Sequence, residues 1–389
     1  MKLLNTVATA SIAVLSLAAC QKEKNTKADI KEITADKSAV LLSRGNGHGN
    51  QHGAVYTLSN QISGNMVMLY RRSADGSLTY QTSYASGGNG SGGGLGNQGA
   101  VVITDDNDVL LAVNPGSNSI SSFKITGNGL NLKSTVGSGG STPVSIAQQG
   151  KLVYVLNSGG SGNISGFMLE DNDKLTPIPN SARPLSSAMA GAAQISFVRN
   201  GHVLVVTEKA SNKIITYSIN QDGEAGMMHS ITSASPTPFG FAAGSFGNIY
   251  VSEAVGGAAN ASNVSSYHIG FDGNISLADG PEATGQSAAC WVVLTDNERN
   301  IFTTNTGSNT LSSYTVHPSA GGINILQSIA ATTGMGPIDA ALTDNSKYLY
   351  ILNSGSHSIS AYAVSIDGSL TSLPVTNGLP AGANGLAAN

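Results

Sequence analysis

The chain is poor in charge. Lys, Arg, Asp and Glu make up 11% of its 389 residues, against roughly a quarter in an average soluble domain. Neither sign builds a strong field. With a formal net charge of −4 the basic surface that a nucleic-acid partner requires is missing, and no such partner is expected. Cysteine is almost absent, with only Cys20 and Cys290 present. Trp291 is the only tryptophan. There is no Gly-x-Ser-x-Gly nucleophile elbow. Metal-ligand spacing is also lacking. His48 and His52 lie four apart, but in the Gly-rich run RGNGHGNQHG and not on a helix, and His202, His229, His268, His317 and His357 are scattered. No metal or cofactor is expected. Gly88 to Gly93 match a dinucleotide pattern by letters, yet they precede a strand and not a helix. What the chain does have is 48 Gly, many Ser, Thr and Asn, and a 40% hydrophobic share. That composition suits strands joined by tight turns around a substantial core.

The first residues stand apart. Lys2 followed by the apolar run LLNTVATASIAVLSLAA reads as an export signal and not a membrane span. It ends in Leu17-Ala18-Ala19-Cys20, which resembles the lipobox of bacterial lipoproteins. The resemblance implies that Cys20 is lipidated and becomes the mature N-terminus, with acyl chains as the only membrane attachment. A plain signal peptide with a chance Cys is the alternative. By the same resemblance Gln21, where an Asp would signal retention, points to the outer membrane. Residues 21–37, QKEKNTKADIKEITADK, lack apolar period and read as a solvated tether. The expected organisation is a signal peptide over 1–19, a lipidated N-terminus and tether over 20–43, and one folded domain over 44–389. Cys290 is then alone in that domain and no intramolecular disulfide staples it.

The domain repeats itself. LLAVNPGSNSISSF, LVYVLNSGGSGNISGF, IFTTNTGSNTLSSY and LYILNSGSHSISAY share one plan, a β-rich run ending in Asn, a Gly/Ser turn and a strand ending in an aromatic. Seven run-ends follow this plan: Asn60, Asn114, Asn157, Glu208, Glu253, Asn305 and Asn353. The matching aromatics are Tyr70, Phe123, Phe167, Tyr217, Tyr267, Tyr314 and Tyr362. A second turn follows each, mostly Asp-Gly or Asn-Gly, residues that accept the positive φ of tight hairpins. Another short apolar segment precedes each run, as in PVSIAQQG or PIDAALTDN. Each unit is therefore four antiparallel strands. Successive run-ends are separated by 43 residues (Asn114 to Asn157) up to 54 (Asn60 to Asn114), and a repeat of roughly 40–50 residues with four strands is the signature of a β-propeller blade. Seven units predict an all-β, seven-bladed propeller. The first unit lacks an inner strand and the last has residues left over, so 383–388 are expected to supply the inner strand of blade 1 and close the ring.

The repeats LVYVLN, IYVSE and LYILN resemble the bacterial propeller repeat named for Tyr-Val-Thr-Asn. With GGLGNQGAVVITDD, RPLS, VVTEKASNKIITY, TPFGFA, AACWVVLT and GLPAGANGLAA, most of 54–389 resembles the lactonase-type seven-bladed propellers. These include 6-phosphogluconolactonases and 3-carboxymuconate lactonising enzymes. The resemblance implies hydrolysis or isomerisation of a lactone or small carbohydrate acid in the central funnel. It also implies an acidic catalytic residue at the end of a second blade strand, where Glu208 stands, although fold alone does not set function. The alternative is a non-catalytic surface propeller that binds a protein or glycan. A monomer is expected in either case.

Glu208 and Glu253 replace Asn at two successive blades. Asn caps its own turn well and Glu does so poorly. Two carboxylates on one side of the ring could serve as general acid and base, or one could simply pair with Lys209 or Arg183. The inner strands offer Gln98, Ser145, Gln194, Trp291 and Asp339 near their entry ends, with Gly240 leaving room on the fifth blade. Trp291 suits stacking on a sugar or lactone ring, or packing between blades. Asp339 suits a hydroxyl or cation, or a turn cap. Cys290 is either a nucleophile or a small core residue. The family's enzymes place His and Arg in the funnel, and these inner strands show neither. Arg183, on a connection, is the nearest cation, so a phosphorylated or tricarboxylate substrate is disfavoured.

Overall fold

Each unit read from the repeat folds as one antiparallel sheet. The computed structural model describes residues 53–389, and the signal peptide, Cys20, the tether, His48, His52 and the start of the expected domain lie outside the described residues. Among those described there are seven sheets and three short 3-10 turns, and no helix is long and apolar enough to cross a membrane. The strand order runs from the axis outwards in chain order, with one exception. In blade 1 the strands are Asn384–Ala388, Ala54–Leu58, Met66–Arg72 and Leu78–Ala85, so the end of the chain supplies the inner strand. The other inner strands are Val101–Ile103, Ser141–Gln149, Ala192–Val198, Pro238–Ala243, Ala289–Leu294 and Pro337–Leu342. Neighbouring inner strands touch around the full circle, including the closing strand against those of blades 2 and 7. The expected seven-bladed ring and its closure are both observed.

The repeat positions explain the packing. All seven aromatics named above are buried, each on the third strand of its blade. Burying such a side chain contributes about 1.5–3 kcal/mol. Neighbouring blades share cores. Tyr56 and Leu58 of blade 1 pack in one cluster with Leu111 and Phe123 of blade 2 and Val153 and Phe167 of blade 3. Between blades, the buried Tyr154 and Tyr350 hydroxyls donate to the carbonyls of Gly223 and Gly76, both at 2.8 Å. Burial raises both phenols, Tyr154 to about 12 and Tyr350 further. The second turns adopt the backbone that their residues favour, as at Gly76 with φ +86° and Gly368 with φ +83°.

Blade 3 departs from the plan. Its outer strand is split into Leu175–Pro177 and Arg183–Pro184, both paired with the third strand Asn163–Leu169. Pro177, Pro179 and Pro184 have no N–H to give to a ladder, so the run cannot be continuous.

The inner strands share one irregularity. The register against the second strand slips between Pro143 and Ser145, Ala192 and Gln194, Pro238 and Phe241, Ala289 and Val292, and Pro337 and Asp339. A bulge re-aims the side chains that follow it. Here that sets the direction of Ser145, Gln194, Trp291 and Asp339. Blade 1 repeats the device at Gly385, at φ +77°, where a Cβ would come within 3.1 Å of the Val101 nitrogen.

Candidate functional site

Except at Asn60, whose side chain bonds Ser91 and the Gly93 carbonyl of the segment leaving blade 1, the run-ending Asn and Glu residues form latches. Asn114 donates to Ser121 Oγ at 2.8 Å and accepts from Ser86 on the connection arriving from blade 1. Asn157 donates to Ser165 Oγ and to the Ser138 carbonyl, both at 3.2 Å, and Asn305 and Asn353 bond Ser312 and Ser360, each at 2.9 Å. Each latch ties a second strand to its third strand, and those of Asn114 and Asn157 also reach the incoming connection. Glu253 does the same with a longer arm, and Glu208 joins the incoming connection to the turn that precedes its third strand. Glu208, fully buried, accepts from Ser186 N at 2.9 Å and from the hydroxyls of Ser186 and Ser211. Glu253, also fully buried, accepts from Ser233 and Ser265 at 2.8 Å and from Tyr267 at 2.9 Å. Burial pushes the Glu253 carboxyl up to about 7 while these three hydroxyls pull it down. Both side chains point into blade contacts. The acid–base pair expected from sequence is not assembled in the funnel, because hydroxyl donors inside the blades occupy both carboxylates.

The ring is bridged across its axis. The glycine-rich segment after the outer strand of blade 1, residues 86–99, runs over one mouth of the channel and is pinned by distant blades. Asn97 Nδ2 donates to the Val144 carbonyl of blade 3. Gln98 N donates to the Ala193 carbonyl of blade 4 at 3.1 Å. The Gln98 side chain spans to blade 6, donating to the Val292 carbonyl at 2.9 Å and accepting from Val292 N at 3.2 Å. Trp291 Nε1 returns the bridge by donating to the Asn97 carbonyl. Lys209 of blade 4 donates to the Gly96 carbonyl, with its ammonium 4.5 Å from the Phe239 ring centre. Burial draws that ammonium down to about 8. The apparent Rossmann pattern at 88–93 thus belongs to a bridging segment. The room expected at Gly240 is filled as well, since a Cβ there would lie 2.2 Å from Gln98 Oε1 and 2.7 Å from the Cys290 carbonyl.

Beyond this bridge an axial cavity of about 360 Å³ lies against the inner strands of blades 1, 2, 3, 4 and 7. Gln98, Gln194, Ser196 and Asp339 line it, with Asp105 and Asp344 further along the strands. None of its lining residues is Lys, Arg or His. The Asp339 carboxyl accepts Ala340 N at 2.8 Å and Leu386 N at 3.0 Å. Burial raises it well above the ordinary carboxylate range despite those two bonds, which favours the protonated form. Gln194 is held from both ends, donating to the Phe241 carbonyl at 2.9 Å and accepting from Phe241 N at 2.6 Å.

The structure therefore gathers three of the residues nominated from sequence, Gln98, Gln194 and Asp339. Ser145 is fully buried and spent on the Gln98 carbonyl at 2.5 Å and on Ile195 N at 3.2 Å. Trp291 packs in a cluster with Ala193, Phe239, Ala254 and Cys290, its ring centre 4.9 Å from that of Phe239, and so presents no open face for stacking. Arg183 sits on the split outer strand of blade 3, bonded to the carbonyls of Asn180, Ala182 and Gly226, because the proline-broken run carries it to the rim. Burial raises the Cys290 thiol to about 11, which leaves it a neutral core group. Asp105, Ser196 and Asp344 were missed. The signal available was the Thr-Asp-Asp and Thr-Asp-Asn that end two inner strands, at Thr104 and Thr343.

Residues 261–388 match the family model described as lactonase, 7-bladed beta-propeller. Among solved structures the chain is similar to a proposed 6-phosphogluconolactonase from Bacteroides fragilis, with 15% identity over 88% of this chain and 100% of that one, TM-score 0.68. It is similar to a second from Bacteroides uniformis, with 18% identity over 86% and 99%, TM-score 0.66. The periplasmic gluconolactonase of Pseudomonas aeruginosa is similar at 13% identity over 86% and 99%, TM-score 0.67. No curated protein sequence matches the chain. The resemblance to lactonase-type propellers read from the repeats is supported by the family match and, for the fold, by these structures.

Proposed function

We propose, from the premise that the chain is built as a lactonase-type seven-bladed propeller, that it hydrolyses a neutral, hydroxylated lactone in the axial cavity. The observation that carries this reading is the cavity's charge, since among the described residues its walls hold Asp105 and Asp344, the protonated Asp339 and no cation. A phosphorylated or polycarboxylate lactone would be repelled there and left without a partner. A sugar lactone presents hydroxyls that Asp, Gln and Ser side chains bind. The gluconolactonase among the similar structures is compatible with that substrate class.

Asp339 is the acid of the reaction. Water adds to the lactone carbonyl carbon, the bond from that carbon to the ring oxygen breaks, and the Asp339 proton passes to the departing ring oxygen. The proton released by the water restores the carboxyl through solvent. General acids of this kind contribute about 10²–10⁴-fold. Gln98 and Gln194 line the cavity close to Asp339, their amides fixed by backbone bonds, so they can hold a substrate without reorganising.

The test is Asp339→Asn assayed on gluconolactone-type substrates beside phosphorylated ones. Turnover of the neutral lactone is expected to fall about a hundredfold with the fold intact by circular dichroism. Because the protonated form acts, wild-type activity over the uncatalysed rate should decline as pH rises through the elevated pKa of Asp339. A wild type that turns over no lactone, or an unimpaired Asp339→Asn, would replace this reading with that of a binding propeller. The Leu-Ala-Ala-Cys sequence supports export and lipid anchoring at Cys20. Metabolic labelling with palmitate should mark the wild-type chain and not Cys20→Ser, and equal labelling of both would discard the anchor.

A further inference from the structure

We propose that a cleft between blades 1 and 2 is a second ligand site, taking a monosaccharide-sized anion that carries a carboxylate or phosphate on a hydroxylated frame. The cleft has a volume of about 450 Å³ and is framed by Arg71, Arg72, Tyr56, Gln81, Thr126 and Asn389. It lies close to the axial cavity, since Ala388 lines one and Asn389 the other. It is separate in chemistry, and the hydrolysis reading is not needed for it.

Successive residues of a strand point to opposite faces, yet Arg71 and Arg72 both line this cleft, at the end of the third strand Met66–Arg72. No Asp or Glu lines it, and neither arginine takes part in an ion pair among the described residues. In a chain with a net charge of −4, two adjacent guanidiniums without a counter-charge favour an anion between them.

Arg71 is held by Gln81 through Nε and by the Gly127 carbonyl through Nη2 at 3.0 Å, leaving Nη1 without an acceptor among the described residues. Arg72 lies 5.4 Å from the Tyr348 ring centre and donates through Nη2 to the Asn389 carbonyl at 3.0 Å. Its Nε is buried without a partner among the described residues. Gly53 leaves space for that guanidinium, since a Cβ there would fall 2.0 Å from Nη2. A guanidinium has five donors, and protein atoms use two on Arg71 and one on Arg72. The Gln81 amide and the hydroxyls of Tyr56 and Thr126 supply groups suited to a sugar's hydroxyls.

Isothermal titration of the full chain with gluconate, glucose 6-phosphate and glucose at low ionic strength tests this. At least one anion should bind in a way that depends on Arg71, any glucose binding should be independent of Arg71, and the anion's affinity should drop with added salt. Arg71→Gln and Arg72→Gln should each weaken binding tenfold or more, while Asp339→Asn leaves it unchanged. Binding of gluconate alone assigns a carboxylate site, and of glucose 6-phosphate alone a phosphate site. The proposal is overturned if neither anion binds, if glucose binds equally well and depends on Arg71 to the same extent, or if Arg71→Gln leaves the anion's affinity intact. Arg71→Gln decides the matter should Arg72→Gln fail to fold, because the Arg71 side chain is only half-buried and its bonds lie at the surface.

Discussion

Removing residues 380–389 is expected to abolish cooperative folding. The lost segment includes the inner strand of blade 1, whose Ala388, Ala387, Leu386 and Asn384 pair with Val55, Tyr56, Thr57 and Leu58. Leu386 and Ala383 are buried with Val55, Tyr70, Tyr350 and Ile359 in the core that joins blades 7 and 1. Leu386 alone represents about 1.5–3 kcal/mol of burial. The larger losses are collective. The second strand of blade 1 becomes an open edge facing the channel, blades 2 and 7 lose their common neighbour, and Asp339 loses the Leu386 amide that it accepts at 3.0 Å. Against a typical net stability of about 5–15 kcal/mol, losing a whole strand leaves little. The truncated chain should be insoluble, or should unfold in urea without a sigmoidal transition. A deletion of residues 21–37, outside the described residues, should keep the wild-type midpoint. A truncated protein with an unshifted cooperative transition would refute closure as the source of stability.

The second large effect is a pH-dependent stability set by Glu253. Its folded carboxyl is raised to about 7 by burial, against an ordinary value near 4.3 in an unfolded chain. The folded state therefore binds the proton more tightly. The resulting stability is fully present below the unfolded value and is lost as pH rises through about 7. Each pH unit of difference corresponds to about 1.4 kcal/mol, so the total is on the order of 4 kcal/mol, of which the span from pH 5 to 8 covers the larger part. Asp339 is raised for the same reason and adds a contribution of the same sign. Glu253→Gln retains the shape and can keep bonds to Ser233, Ser265 and Tyr267 without titrating. Urea unfolding at pH 5, 6, 7 and 8 should show wild-type stability declining with pH. The decline should be smaller in Glu253→Gln by about 3 kcal/mol. Parallel curves for the two proteins would show that Glu253 does not carry the buried charge.

The same residue shows how far sequence reading reached into the site. Asn at five run-ends was legible as a turn device, and Glu at two looked like chemistry because Glu caps turns poorly. The structure answers with distance. A longer arm still reaches the serines of its own blade and of the incoming connection, so Glu208 and Glu253 perform the Asn role. Gln194 and Asp339 were found because inner strands must line the axis, and Gln98 because the segment that crosses the ring leads into one. Trp291 and Ser145 share those strands yet are consumed by the bridge that residues 86–99 build across the ring. That bridge and the cleft at Arg71 and Arg72 are made by pairings between residues as far apart as Gln98 and Val292, or Arg72 and Asn389, which no local pattern records.

By itself the sequence determined the blade and the number of blades, through alternating apolar residues, turn residues that accept positive φ, and an aromatic at a repeated offset. These act within one unit, where a side chain's neighbours are its chain neighbours. It also determined closure, because one unit lacked a strand and the other end carried a spare. The tertiary structure alone decided which polar groups face open space. Bulges at the heads of the inner strands turn side chains toward or away from the axis, and whether a carboxyl is spent or available depends on donors brought to it by other blades.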